Sequence, residues 1–220
     1  MERLYAHPES NMTSDDWNFQ RVDKLFKSGT ILTQKPTQEV KLCLDEETPY
    51  IIKKYITKSL LGSLREWLGK ARSDKSFESA ITLQALSIPV PMHHMIAKQL
   101  AFSQSVSYLL MDKAQGTPLI EFLLSENFGD LPENSEQHII DIVDTLHKAG
   151  IAHGDLHTRN LIIADDGTVS LIDLDNVEKS PGRIPRDVRR LHQALIDHPG
   201  PLHKLQKYLE ARLGATLGKH

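Results

Sequence analysis

Between residues 29 and 56 polar and apolar positions alternate. Glu39-Val40-Lys41-Leu42-Cys43-Leu44 puts every second side chain on one face, Asp45 to Pro49 supply turn residues, and Tyr50-Ile51-Ile52-Lys53-Lys54-Tyr55-Ile56 is β-branched and aromatic. That pattern predicts a β-hairpin. From Leu60 to Leu68, and again from Ser76 to Leu86, apolar residues recur at helical spacing, and Ile88-Pro89-Val90-Pro91 stops the second helix. Two short strands are expected at Ile96 to Phe102 and Val106 to Met111. Gly116 breaks the chain before a short apolar helix, Leu119 to Leu124. Asn134 and Gln137 then open a helix in which Ile139, Ile140, Val143 and Leu146 share a face, and Gly150 closes it. Leu161-Ile162-Ile163, a turn at Asp165-Asp166-Gly167, and Val169-Ser170-Leu171-Ile172-Asp173 form a second hairpin. Two helices near Arg186 to Asp197 and Leu202 to Leu213 end the chain. A β-rich and then helical order predicts an α+β fold.

Length and composition narrow this picture. The 220 residues suit one large domain or two small ones. With 40% hydrophobic and 25% charged residues, and no eighteen-residue apolar run, the chain reads as globular rather than disordered or membrane-spanning. The start, MERLYAHPESNMTSDDW, lacks an apolar segment behind a basic one, so no secretory signal is read and a cytoplasmic location is expected. The lone Cys43, in an apolar alternating stretch, is expected to be a small core residue. A net charge of −3 gives no global case for a nucleic-acid partner.

The chemistry is concentrated in His153-Gly154-Asp155-Leu156-His157-Thr158-Arg159-Asn160 and in the hairpin that ends at Asp173. A carboxylate, an amide five residues on and a second carboxylate on the next strand are what phosphoryl transfer to a hydroxyl requires. One carboxylate accepts the proton; the amide and the other carboxylate hold Mg²⁺ against the phosphates of ATP. Each residue alone is equally well read as a turn former or a cap. Together they are not, because Ile172-Asp173-Leu174 puts a charge into an apolar strand. Lys53, in the last strand of the first hairpin, can point into an interlobe cleft and bind the α- and β-phosphates, and Lys54 must face the other way.

These residues resemble the lipopolysaccharide kinase (Kdo/WaaP) family of the protein-kinase-like superfamily, over roughly Leu25 to Leu195. The resemblance rests on HGDLHTRNLII…LIDLDNV, on Ile52-Lys53-Lys54-Tyr55, and on Lys70-Ala71-Arg72 with Ser76-Phe77-Glu78-Ser79-Ala80 leading to Ile88-Pro89-Val90-Pro91. It implies a single two-lobed domain over residues 1–220: a β-rich N-lobe at about 25–111, a reduced and mostly helical C-lobe at 112–220, and residues 1–24 as an N-terminal extension. It further implies Lys53 as the ATP lysine, Asp155 as catalytic base, and Asn160 and Asp173 as Mg²⁺ ligands. The acceptor would be a heptose or Kdo sugar of a glycolipid, met at the inner face of the cytoplasmic membrane.

The chain departs from the wider kinase pattern. No G-x-G-x-x-G precedes Lys53, so Gly29 to Gln38 would have to cover the phosphates through backbone N–H groups and hydroxyls. Glu78 is the candidate partner of the ATP lysine, although helix spacing from Leu83 and Leu86 favours Ser79. Asp173 is followed by Leu174-Asp175, not Phe-Gly, and Asp175 reads as a solvated loop carboxylate or a further polar group at the acceptor site. Arg183, Arg186, Arg189 and Arg190 form a basic run that is either a solvated face or a holder of membrane or substrate phosphates. Met92-His93-His94-Met95 is discounted as a metal site because adjacent histidines diverge on a strand. Other small-molecule kinases, atypical Ser/Thr kinases of the same fold and a pseudokinase-like nucleotide-binding module remain as alternatives.

Overall fold

The computed structural model of the protein describes residues 1–10, 12, 17–101, 104–125 and 131–217. They form two compact units, Met1–Ala80 with Pro91–Lys113, and Ile81–Val90 with Ala114–His220.

The first unit is built on six strands: β1 (Glu2–Ala6), β2 (Thr30–Lys35), β3 (Gln38–Asp45), β4 (Thr48–Thr57), β5 (His93–Gln99) and β6 (Ser105–Asp112). They form one antiparallel sheet in the order β1-β5-β6-β4-β3-β2. The expected hairpin is β3 and β4, paired with Val40 opposite Lys53. The strand expected at Ile96 to Phe102 is β5, and Phe102 lies outside the described residues. Three helices belong with the sheet: α1 (Phe19–Ser28), α2 (Leu60–Trp67) and α3 (Arg72–Ala85), whose last turns reach into the second unit.

Strand alternation sorts the core into two faces. On one, Ile52 packs with Cys43, Met95, Ala97, Tyr108 and Leu110 under Phe19, Val22, Leu25 and Phe26, which lie on or border α1. Lys54 is on this face, its Nζ 5.5 Å from the ring centres of Phe26 and Tyr108. On the other, Tyr55, Ile96, Leu109 and Met111 pack against Phe77 of α3. Each large side chain so buried contributes about 1.5–3 kcal/mol. Cys43 is fully buried and its thiol is pushed up to about 11, the state of an inert core residue.

Within residues 1–24, Glu2–Ala6 and Asn18 take part in the unit. β1 pairs with β5 from Glu2 opposite Gln99 to Ala6 opposite Met95, and Asn18 caps α1 by accepting from the Arg21 N–H at 2.8 Å.

The apolar repeat that predicts α2 does not face the core. Ser63 and Glu66 are 2% exposed, while Leu60, Leu61, Leu64 and Leu68 are 54–77% exposed. The cause is a buried charge cluster. The Lys98 ammonium, fully buried on β5, lies 2.6 Å from Asp74 Oδ2 of α3 and 3.1 Å from Glu66 Oε2 of α2. Thr57 and Ser107 donate to Glu66 Oε1, and the Ala71 N–H donates to Asp74 Oδ2. Gly62 permits the close approach, since a Cβ there would collide with Thr57 Cγ2.

The second unit contains β7 (Thr117–Pro118), α4 (Leu119–Leu124), α5 (Ser135–Lys148), β8 (Ile151–Ala152), β9 (Leu161–Ile163), β10 (Val169–Leu171), β11 (Glu178–Lys179), α6 (Ile184–Asp197) and α7 (His203–Leu217). β9 and β10 are the expected second hairpin and join β7 in a small sheet; β11 pairs with β8. The Pro89 carbonyl accepts from the Leu171 N–H at 2.9 Å, which ties the segment after α3 to β10. Asn134 does not cap α5 through its side chain as expected. It adopts φ 69°, ψ −8°, a left-handed conformation that Asn tolerates.

Candidate active site

β8 delivers the chain into His153-Gly154-Asp155, and three contacts fix this loop. Asp187 of α6, 1% exposed, accepts from the N–H groups of His153 at 2.6 Å and Gly154 at 3.0 Å. The His153 ring is fully buried; its Nδ1 accepts from the Asp155 N–H at 3.3 Å, so the proton sits on Nε2, which donates to the Ile172 carbonyl at 3.1 Å. Burial holds the His153 pKa below its ordinary value, despite the nearby Asp187 carboxylate. Gly154 is at φ 79°, where a Cβ would stand 2.7 Å from the Asn176 carbonyl oxygen, so only glycine fits without a shift.

The next turn links the three predicted residues of this unit. His157 caps the 3-10 turn Thr158–Asn160 by accepting from the Arg159 N–H. The Asn160 amide nitrogen donates to the Asp155 carbonyl at 2.9 Å, and the Asn160 carbonyl accepts from the Ile172 N–H at 3.0 Å. Asp155, Asn160 and the residue before Asp173 are therefore joined through Asn160. Asp173 has φ 60°, ψ 61°, an uncommon conformation for a residue with a side chain and one that clusters at functional sites. It opens the 3-10 turn Leu174–Asn176, which turns Asp175 inward to 5% exposure, so Asp175 is a buried group and not a solvated loop carboxylate.

Arg190 completes the site. Its Nη1 lies 2.6 Å from Asp155 Oδ1 and donates to the Gly154 carbonyl at 3.1 Å. Arg183 pairs with Glu178 at 2.6 Å. The basic run is thus neither a uniform solvated face nor a single patch: two of its members are committed to carboxylates, and Arg186 and Arg189 are exposed.

The other predicted residues lie in the first unit. Lys53, 7% exposed, shares its side of β4 with Tyr55, the face that meets Phe77, and Lys54 points the other way as alternation requires. On α3, Glu78 is exposed and Ser79 is buried, as the helix spacing predicts. The segment expected to cover phosphates is β2 and its turn into β3, with every β2 residue exposed. His93 contacts the Pro91 carbonyl and His94 pairs with Asp112, and among the described residues no group of three or more His, Cys, Asp or Glu could hold a metal.

The Asn160 amide oxygen and the Asp173 carboxylate are hard oxygen donors of the type Mg²⁺ prefers. Two protein donors suit an ion that takes its remaining ligands from nucleotide phosphates and water. With its amide nitrogen engaged, Asn160 can offer a metal only its oxygen.

Sequence reasoning had not singled out Asp187, nor Arg190 as a partner of Asp155. Asp187 did carry a signal: it interrupts the apolar stripe Ile184, Val188, Leu191, Leu195 of α6, a carboxylate in a buried row. Arg190 carried none, since it sits among other arginines.

The model of the lipopolysaccharide kinase (Kdo/WaaP) family matches residues 48–199. No curated protein matches the chain. Among solved structures, the ROP18 kinase domain in complex with AMP-PNP and sucrose is similar at 18% identity with a TM-score of 0.43, over 67% of this chain and 50% of that one. The family match spans most of the chain and takes in Lys53, the HGD loop, Asn160 and Asp173, so the protein, of α+β class, belongs to the lipopolysaccharide kinase (Kdo/WaaP) family.

Proposed function

We propose that the protein transfers the γ-phosphoryl group of Mg·ATP to a sugar hydroxyl of the lipopolysaccharide inner core, on heptose or Kdo, at the inner face of the cytoplasmic membrane. The observation that carries this reading is Asn160, which ties the Asp155 carbonyl to Ile172, the residue before Asp173. A proton acceptor and a pair of oxygen donors are thereby held in one frame, as in-line phosphoryl transfer demands. Asp155 takes the proton of the acceptor hydroxyl while the hydroxyl oxygen bonds to the γ-phosphorus, the bond from phosphorus to the β–γ bridging oxygen breaks, and ADP leaves. Asn160 and Asp173 would hold Mg²⁺, which would supply neutralisation of the phosphate charge. Lys53 grips the α- and β-phosphates, with Glu78 as its candidate partner. Arg190 contacts Oδ1 of Asp155, which leaves Oδ2 to take the proton, and with side chains 36% and 37% exposed the pair costs little to rearrange.

The test offers γ-labelled ATP and a heptose- or Kdo-bearing lipid A core. Label should pass to the glycolipid and not to generic protein; transfer to proteins or aminoglycosides alone would reassign the acceptor. Asp155→Asn should leave ATP affinity within a few-fold while turnover falls by about two to four orders of magnitude. Asp173→Asn should lower metal-dependent nucleotide binding and turnover together. Equal loss of Mg·ATP binding in both folded variants would overturn these two roles.

A further inference from the structure

Leu60, Leu61, Leu64, Trp67 and Leu68 all stand exposed within nine residues of sequence. The other exposed large apolar side chains among the described residues occur singly or in adjacent pairs. A helix normally turns such a stripe inward; α2 is held the opposite way by Glu66 at the buried Lys98 and by Gly62 against Thr57. A patch of this kind marks an interaction surface.

The charges around it say what it meets. From residue 58 to residue 75 every exposed charged side chain is a cation: Lys58, Arg65, Lys70, Arg72 and Lys75. The acids of that stretch, Glu66 and Asp74, are buried against Lys98. Trp67, the residue type that favours a membrane interface, lies at the edge of the stripe with the Arg3 guanidinium 4.9 Å from its ring centre. At eight residues α2 is about 12 Å long, too short to span a bilayer and suited to lying in its surface. A second copy of the chain is a poor occupant, because a two-fold contact sets the patch against itself and opposes cation to cation.

We propose that α2 is a membrane-docking element. Its leucines and Trp67 enter the headgroup–acyl boundary of an anionic bilayer, and Lys58, Arg65, Lys70 and Lys75 engage the lipid phosphates. The inference stands on α2 and its surroundings alone and does not depend on the sugar acceptor or on nucleotide binding.

The experiment is co-sedimentation of the full chain, without nucleotide, with vesicles of phosphatidylethanolamine containing about 30% phosphatidylglycerol, set against phosphatidylcholine vesicles. Binding should favour the anionic vesicles and weaken with salt. The triple variant Leu61→Ser, Leu64→Ser, Leu68→Ser should bind about a hundredfold more weakly, and Arg65→Glu with Lys70→Glu about tenfold more weakly or worse. All five positions are exposed, so both variants should keep the wild-type melting temperature and its rise with Mg·ATP. Failure of the wild type to bind anionic vesicles while Mg·ATP still stabilises it would overturn the proposal and leave the kinase reading intact. So would leucine variants that bind as well as wild type. Concentration-dependent dimerisation lost in the triple variant, without vesicle binding, would instead make a second copy the occupant and equally overturn it.

Discussion

Asp187 accepts two main-chain hydrogen bonds in a buried position, so its carboxylate is the acceptor on which the HGD loop depends. Asp187→Ala leaves two buried N–H groups without a partner, at about 1–3 kcal/mol each. Urea unfolding should therefore show a loss of about 2–6 kcal/mol, and Asp187→Asn, which keeps one acceptor oxygen, a smaller one. Arg190→Ala breaks a pair about a third exposed and should change stability by less than about 1 kcal/mol, though it touches Asp155 directly. His153 adds a pH dependence. Its folded pKa is lowered by burial, so near the ordinary histidine value the unfolded chain binds the extra proton and the folded chain does not. Its contribution is complete above about pH 6.5 and is lost as pH falls below that value toward the folded pKa. His157 is lowered by partial burial and by Arg159 and acts in the same window. Melting temperature should thus fall between pH 7 and pH 5, less steeply in His153→Asn; a flat profile would contradict the buried neutral imidazole. At this scale sequence pointed to Lys53, Asp155, Asn160 and Asp173 because each breaks or follows a local pattern. Arg190 stayed hidden because its meaning comes from a loop 35 residues earlier in the chain.

Among elements, those with a strong period were legible. β3 with β4, β9 with β10, and α4 fall where alternation or helical spacing puts them, because their pairing and packing are local. β1 was not read, since five residues with no adjacent partner give no signal until β5 arrives more than eighty residues later. The orientation of α2 was not legible either. Periodicity says that a helix has an apolar side; it does not say that a lysine on β5 will draw the polar side inward. That account yields a test. Lys98→Met removes the cation between Glu66 and Asp74 and leaves two carboxylates buried without it. Breaking a buried pair in this way costs about 3–5 kcal/mol. Chemical denaturation should show that loss, and amide exchange in α2 should rise more than in β3, because α2 depends on the cluster for its seat.

For the molecule as a whole, nucleotide linkage is the simplest measurement. A ligand that binds only the folded state, present at a hundred times its dissociation constant, stabilises by about 2.7 kcal/mol. For a chain of this size that is a rise in melting temperature of about 5–10 °C. Mg·ATP should produce it in the wild type, and chelation of Mg²⁺ should remove most of it, if the proposed ligands Asn160 and Asp173 hold the ion between protein and phosphates. No rise at millimolar Mg·ATP or Mg·ADP would count against the proposed chemistry. The α+β class and the order of β-rich and helical parts were readable from the sequence alone, because the hydrophobic period changes along the chain. The assignment of Ile81–Val90 to the second unit was not, since nothing in that segment announces the bond from Leu171 to Pro89. The charge cluster at Lys98 also constrains how this protein can change over generations. Its members sit on α2, α3 and β5, and replacing all three with apolar residues could leave a stable core, yet any route that loses the lysine first passes through two stranded carboxylates. Relatives should therefore keep residues 66, 74 and 98 as a set or exchange them as a set, and lineages caught midway should be rare.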